Sequence, residues 1–203
     1  MNDVVAGRGF RPARRLVELA NALRADPELP REELAVLLAR HGERPEDLTE
    51  EAFPSACAAE LRSAVARMTA VLAETDTGRA ARALNGILAE CGARPRLTDH
   101  GGRHPWHLHV DRDEDAGWVD WFLAASALAL AQILTEYGRA AWGECAAPGC
   151  SAFYLDTGPG SARRYCSATC ASRARVAAHR RRRREDGRGD PPARPDGRAG
   201  GAR

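Results

Sequence analysis

Residues 145–170 have the sequence CAAPGCSAFYLDTGPGSARRYCSATC, in which four cysteines form two close pairs. Four residues separate the cysteines of the first pair, three separate those of the second, and fifteen lie between the pairs. Each pair can close a tight turn, which Pro148 and Gly149 favour in the first, and the loop allows both pairs to converge on one tetrahedral site. We therefore predict one structural zinc ion without an open coordination position, held by Cys145, Cys150, Cys166 and Cys170.

A basic segment with strong helical preference, Ala171 to Glu185, follows the second pair. Its five consecutive arginines span more than one helical turn and face every direction, so this end cannot pack against a core. Arginine makes bidentate, charge-assisted contacts with phosphate, and a helix fits the major groove of DNA. The predicted nucleic-acid-binding residues are Arg163, Arg164, Arg173, Arg175, His179, Arg180, Arg181, Arg182, Arg183 and Arg184. The alternative is a solvated basic cap on a structural zinc unit.

The charge of the chain is divided along its length, although the net charge of its 203 residues is only +2. Residues 1–162 hold 17 arginines and 24 acidic residues, a net charge of −7. Residues 163–203 hold 13 arginines and four acidic residues, a net charge of +9, and the chain has no lysine. This asymmetry favours an anionic partner for the carboxyl-terminal part, with nucleic acid first among the candidates.

Residues 1–141 have the pattern of a helical domain. Four segments carry apolar residues at helical spacing, and the stripes of the third and fourth include Cys57 and Cys91, for which we expect only a packing role. The most apolar segment, Gly117 to Arg139, predicts a central and almost fully buried helix.

A β-hairpin is predicted between Arg94 and Asp111, around a glycine turn. Four histidines crowd this stretch: His100, His104, His107 and His109. Alternation places His107 and His109 on the exposed face of a strand, opposite Leu108 and Val110. We do not expect a metal site there, because no cysteine or carboxylate lies at a recognisable ligand spacing.

The predicted fold class is therefore mainly α. It consists of a helical domain with a small β-hairpin (residues 1–141), a treble-clef-like or ribbon-like zinc finger ending in a basic helix (142–185) and a disordered tail (186–203) rich in glycine, proline, arginine and aspartate.

The residues around the four cysteines resemble the CGNR zinc finger. The features that match are Phe153, Asp156, Ser161, Arg163 and Arg164 before an aromatic residue, and Cys166 with Ser167. That finger closes a bacterial family whose helical amino-terminal part is called the ABATE domain, and residues 19–23 resemble the opening leucine, valine, asparagine and leucine motif of that domain. The resemblance covers most of residues 14–184 and implies a bacterial, stress-linked transcription regulator.

Two departures from the CGNR pattern bear on what the finger contacts. Cys170, Ala171, Ser172 and Arg173 stand at the naming motif, and the second cysteine pair is one residue shorter than is usual in the family. All four sulfurs remain, so we expect metal ligation to survive. Whether Ala171 and Ser172 alter binding stays open.

The leading functional hypothesis is a DNA-binding regulator whose helical domain binds a small-molecule effector or forms a homodimer. Its rivals are a zinc-stabilised protein interaction module and an RNA-binding module, since arginine-rich helices also bind RNA. We expect no enzymatic activity, because the sequence shows neither a catalytic triad nor a phosphate-cradling glycine loop. We expect a cytoplasmic location without membrane contact, because residues 1–15 lack the apolar stretch of a secretory signal.

Overall fold

The computed structural model describes residues 10–99, 101–102, 106–110, 112, 117–158, 160 and 162–186. Within these residues a short 3-10 helix spans Pro45–Leu48, and there are six α-helices: α1 Arg11–Ala25, α2 Arg31–Arg40, α3 Ser55–Ala73, α4 Thr77–Glu90, α5 Trp118–Tyr137 and α6 Ala168–Asp186. The prediction of a mainly α fold is confirmed. Residues 187–203 of the predicted disordered tail lie outside the described residues.

The strands form two separate antiparallel ribbons. They are β1 Arg96–Thr98 with β2 His107–His109, and β3 Trp142–Glu144 with β4 Phe153–Leu155. The first is the predicted hairpin of the helical domain. The second lies within the zinc finger, which ends in the basic helix α6 as predicted.

Helix boundaries follow local sequence signals. The Asp76 carboxylate caps α4 by accepting a hydrogen bond of 2.8 Å from the backbone N–H of Arg79. Gly138, with φ at 65°, ends α5 in the left-handed conformation that glycine adopts without a Cβ clash. The chain can therefore turn sharply from the central helix toward the second ribbon.

Helix α5 is the centre of the core and packs against α1, α3 and α4. Phe122 and Leu130 on α5 are fully buried, as are Leu16 of α1 and Met68 of α3. The sequence-based expectation that α5 is almost fully buried is wrong, since only 44% of its most apolar 18-residue window is buried. Helices cover the remainder of α5 only in part, so alanines and larger apolar residues on that side stay half exposed.

By length and composition, α5 is the one helix among the described residues that would be able to cross a membrane. The core helix of a soluble protein passes the same test. Its packing against three other helices is the arrangement of such a core helix.

The leucines of the ribbon β1–β2 are exposed, which differs from the orientation that the alternation of residues 107–110 predicts. Leu97 and Leu108 lie opposite each other in the register, and their exposed fractions are 68% and 44%. The expectation that Leu108 faces the core is therefore wrong, whereas Val110 is buried at 5% exposure. Val110 belongs to the main hydrophobic core, and its carbonyl accepts a hydrogen bond of 3.0 Å from the Arg94 N–H. The base of the ribbon is therefore attached to the core, while Leu97 and Leu108 farther along it stay exposed.

Alternation predicts that His107 and His109 lie on the exposed face of the strand, but His109 is half-buried. His100 and His104 lie outside the described residues, as does the side chain of His107.

Arg15 is a buried cation that the sequence pattern did not predict. Its side chain is 4% exposed, and its Nη1 atom lies 2.7 Å from the Glu43 Oε1 atom. The guanidinium group lies 3.9 Å from the centroid of the Trp121 ring, a cation–π distance. Burial lowers the pKa of Arg15 to about 10 and raises the pKa of Glu43. The ion pair therefore offsets a desolvation cost on both groups.

Replacing Glu43 with glutamine should lower the free energy of unfolding by about 2 to 3 kcal/mol, because it leaves the buried Arg15 charge uncompensated. Urea denaturation measures the loss. Glu60→Gln supplies the matched control, since it removes a carboxylate that is exposed on α3. Adding Arg15→Met to Glu43→Gln should restore most of the stability. Equal unfolding midpoints for Glu43→Gln and Glu60→Gln would contradict this account.

Candidate metal centre and basic helix

The second ribbon positions the first cysteine pair. Cys145 follows β3 directly, and its N–H donates to the Ala152 carbonyl at 2.9 Å, which extends the β3–β4 pairing by one step. The chain then turns back through Gly149, whose φ of 72° is left-handed and favours glycine. The N–H of Cys150 donates to the Ala147 carbonyl at 3.0 Å and closes this turn. Both cysteines therefore lie at the tip of the ribbon.

The start of α6 positions the second pair. Cys166 lies just before the helix and Cys170 in its first turn. The Ser167 hydroxyl accepts a hydrogen bond of 3.2 Å from the Cys170 N–H, and the Ser167 carbonyl accepts one of 3.1 Å from Ala171. Ser167 thus acts as the N-cap of α6. This cap fixes the direction in which the helix leaves the metal site.

The four cysteines form a compact group, here called the cysteine cluster: Cys145, Cys150, Cys166 and Cys170. Their sulfur atoms all lie within 4.8 Å of one another. The distance from Cys166 Sγ is 3.8 Å to Cys150 Sγ and 3.6 Å to Cys170 Sγ. Zinc–sulfur bonds of about 2.3 Å in a tetrahedron place neighbouring sulfurs about 3.8 Å apart. The donor set and its spacing therefore fit one zinc ion, and the predicted cofactor is confirmed as one that this finger is able to bind.

The thiols of the cysteine cluster differ in pKa. Burial acts to raise the pKa of Cys145, but hydrogen bonds from the backbone N–H groups of Cys166 and Ala147, together with neighbouring thiols, lower it to about 7. Burial and hydrogen bonding to neighbouring thiols raise the pKa of Cys166 to about 12. Zinc takes thiolate ligands, so zinc binding at neutral pH releases protons from this group.

The ribbon shares the core of the helical domain. Phe153 of β4 is 1% exposed and belongs to the same hydrophobic cluster as the residues of α1, α3 and α5. Trp142 of β3 is also buried, and its indole N–H donates to the Val71 carbonyl at 3.2 Å. The predicted boundary between residues 141 and 142 thus passes through one continuous core. A second, smaller cluster contains the four cysteines with Ala147, Tyr165 and Ala174.

Asn21 on α1 binds β4 through both ends of its side-chain amide. Its Nδ2 donates to the Phe153 carbonyl at 3.0 Å, and its Oδ1 accepts from the Phe153 N–H at 2.7 Å. Arg24, one turn later, lies 4.0 Å from the centroid of the Phe153 ring and pairs with Glu144 at 2.7 Å. Arg24 also donates to the Ser151 carbonyl. The last turns of α1 therefore hold the finger against the helical domain.

Asp156 forms a second attachment at the end of β4. Its side chain is 6% exposed and lies 2.5 Å from the Nη2 atom of Arg139, while its N–H donates to the Ala141 carbonyl. Tyr154 donates from its hydroxyl to the Arg163 carbonyl at 2.8 Å, which attaches β4 to a residue just before the second cysteine pair. Asp156 and Arg163, which match the CGNR pattern, thus have structural contacts. Ser161, another residue of that pattern, lies outside the described residues.

Replacing Asn21 with alanine should lower the free energy of unfolding by about 2 kcal/mol, because it removes the partners of a buried backbone N–H and carbonyl at Phe153. Asn85→Ala on α4 is the matched control, since Asn85 is exposed and an exposed helical asparagine contributes little. Chemical denaturation followed by circular dichroism compares the two variants with the parent. A loss no larger than that of Asn85→Ala would rule out the proposed role of the amide.

Helix α6 carries most of the predicted nucleic-acid-binding residues. Arg173, Arg175, His179 and the run Arg180 to Arg184 are all exposed on it, and Arg163 and Arg164 are exposed in the loop before Cys166. Its first turns pack in the second cluster through Cys170 and Ala174. Among the described residues no other helix or strand packs extensively on α6. The structure therefore places the arginine run away from both cores.

Comparison with protein families divides the chain into the same helical domain and zinc finger. Residues 142–183 match the model of the CGNR zinc finger. Residues 11–137 match the ABATE model, which is described as "Putative stress-induced transcription regulator". A comparison with curated proteins found no match. Because the ABATE match spans more than half of the chain and the finger follows it directly, the chain belongs to the ABATE family and carries a carboxyl-terminal CGNR zinc finger.

Proposed function

We propose that this protein is a transcription regulator that binds duplex DNA through α6, with zinc as a structural element only. The observation that carries the proposal is the position of α6, an arginine-rich helix. It starts at the cysteine cluster and extends away from the protein with its arginine run exposed. The cluster and the Ser167 cap set the direction of that helix. An isolated charge run is usually only solvated, whereas a helix with a fixed direction presents its charges as a surface.

Charge supports DNA as the partner. Residues 163–203 carry a net charge of +9, and those before them carry −7. The acidic helical body is repelled by phosphate while the finger is attracted, so electrostatics alone would orient the protein with α6 toward the duplex. A cytoplasmic location is part of the same proposal, because a bacterial regulator must reach its DNA.

We also propose that the protein is not an enzyme. Four cysteine ligands complete a tetrahedral zinc site and leave no position for water or substrate. The effector and the homodimer remain predictions for the helical body.

The test of the proposal is the salt dependence of DNA binding by the full chain. Fluorescence anisotropy with labelled duplex DNA should show log Kd rising with log salt, with a slope of roughly 0.9 per phosphate contacted. A variant with Arg180 to Arg184 changed to alanine should lose most of the affinity and keep its zinc. Arg79→Ala/Arg82→Ala, on exposed α4 positions, is the control for charge removed elsewhere.

Three outcomes would overturn the proposal. They are undiminished affinity of the five-alanine variant, affinity of the parent that does not change with salt, and stronger binding to duplex RNA of the same sequence than to DNA. The last result would favour the RNA-binding alternative.

A further inference from the structure

One exposed face of α6 forms a stripe along the helix, here called the outer stripe. It lines a shallow depression and consists of Thr169, Ser172, Arg173, Val176, Ala177 and Arg180. These residues recur at intervals of three and four along the helix, so they share one face. The residues at least partly covered by protein lie on the opposite face: Cys170, Ala171, Ala174 and Ala178. Val176 in the outer stripe therefore lies roughly opposite Ala174 and Ala178, while Ala177 lies at the edge of the stripe that borders Cys170.

The composition of the outer stripe differs from that of a solvated helix face. Val176 is 48% exposed on a helix whose other exposed side chains are mostly charged or polar. Valine has a lower helix propensity than alanine and gains nothing from contact with water. Hydroxyl groups of Thr169 and Ser172 and the guanidinium groups of Arg173 and Arg180 surround it along the stripe. Such a mixture of donors, acceptors and methyl groups matches the edges of base pairs.

On the basis of the proposed function, we propose that the outer stripe reads base edges in the major groove of DNA. The seven steps from Arg173 to Arg180 rise about 10 Å along a helix axis, which corresponds to about three base pairs. Arginine recognises guanine through O6 and N7, and an apolar side chain contacts the thymine methyl group. The stripe therefore selects a short core with guanine toward each end and thymine between, opposite Val176.

Two arginines beside the stripe have a different task. At about 100° per residue, Arg175 lies roughly 100° and Arg182 roughly 120° around the helix axis from Val176, outside the arc that the outer stripe occupies. The phosphate backbones border the major groove, so arginines on this flank meet phosphates rather than bases. The base contacts of Arg173 and Arg180 and the phosphate contacts of Arg175 and Arg182 can therefore be removed separately.

The experiment compares arginines of the two classes in the full zinc-loaded chain. A site is first selected by the parent from a random duplex pool, and Kd is then measured for that site and for a scrambled duplex. Arg173→Ala and Arg180→Ala should reduce the preference for the selected site about tenfold or more, as expected for loss of a bidentate base contact. Arg175→Ala and Arg182→Ala remove the same charge and should weaken binding to both duplexes equally. Each should also reduce the slope of log Kd against log salt by about one.

A chemical test isolates Val176. Replacing thymine by deoxyuridine in the selected site removes only the methyl group and should weaken parent binding about fourfold, the effect of one buried methyl group. Val176→Ala should bind the two sites equally. Alanine favours the helix at this exposed position, and circular dichroism with zinc content verifies that each variant is folded.

The results separate this inference from the proposed function. If the parent binds DNA with the expected salt dependence but selects no sequence, the outer-stripe assignment is wrong and the regulator proposal stands. The outer-stripe assignment is also wrong if the Arg173 and Arg180 variants lose affinity equally for the selected and the scrambled duplex, as the Arg175 and Arg182 variants should. If the parent shows no salt-dependent binding to duplex DNA, both proposals fail.

Discussion

Replacing Cys145 or Cys166 with serine should abolish stoichiometric zinc binding and unfold the finger from the ribbon tip to the start of α6. The reason is the small size of the second cluster, in which the four cysteines are joined only by Ala147, Tyr165 and Ala174. So few apolar residues cannot offset the conformational entropy of the loop. Structural zinc contributes about 10 to 16 kcal/mol of apparent binding free energy in comparable small modules at neutral pH.

The helical body should survive the loss of zinc. Its core contains Trp142 and Phe153 and depends on no cysteine ligand. Metal analysis should therefore show a protein without zinc, and thermal unfolding should show that this protein still melts cooperatively. Cys57→Ala is the matched control, because Cys57 lies on α3 outside the cluster. One zinc per chain in both serine variants would refute the assigned site.

Replacing Phe153 with alanine should lower the free energy of unfolding by about 3 to 4 kcal/mol. The ring is 1% exposed, is packed in the joint core of α1 and β4, and lies under the Arg24 guanidinium. Its removal leaves a cavity and weakens the attachment of the ribbon. The cysteine cluster forms its own small core, so the zinc content should stay at one per chain.

Urea denaturation measures this loss, and two further variants bracket it. Phe153→Leu keeps much of the apolar volume and should lose less than half as much stability. Val36→Ala, at a position that is 61% exposed, should be close to neutral. A Phe153→Ala protein as stable as Val36→Ala would show that the ribbon does not depend on the helical core.

The parts of the fold that the sequence predicted are those with a local signal. Periodic leucines located α1 to α4, and the spacing of the cysteines with Pro148 and Gly149 predicted the metal site. The basic helix was predicted from composition alone, and it begins three residues earlier than expected, at Ala168, because Ser167 caps it. Each of these signals lies within one short segment of the chain, at most the 26 residues from Cys145 to Cys170.

The parts that were missed depend on distant contacts. Asn21 pairs with Phe153 across 132 positions. It stands in the segment that resembles the ABATE opening motif, but helical periodicity alone does not distinguish it from an exposed asparagine such as Asn85. Arg15 is buried because its guanidinium group forms an ion pair with Glu43 and packs on the ring of Trp121, although an arginine on a helix is usually solvated. The exposure of Leu108 depends on how far the helical body extends along the first ribbon.

The amide of Asn21 also has a consequence for solubility. A strand at the border of a sheet offers unpaired N–H and carbonyl groups to any other chain. At Phe153 both groups are already bonded to Asn21, so the outer border of β4 is closed to strand addition at its start. A side chain thus takes the place of a third strand, and a two-stranded ribbon is protected from joining its copies into a larger sheet.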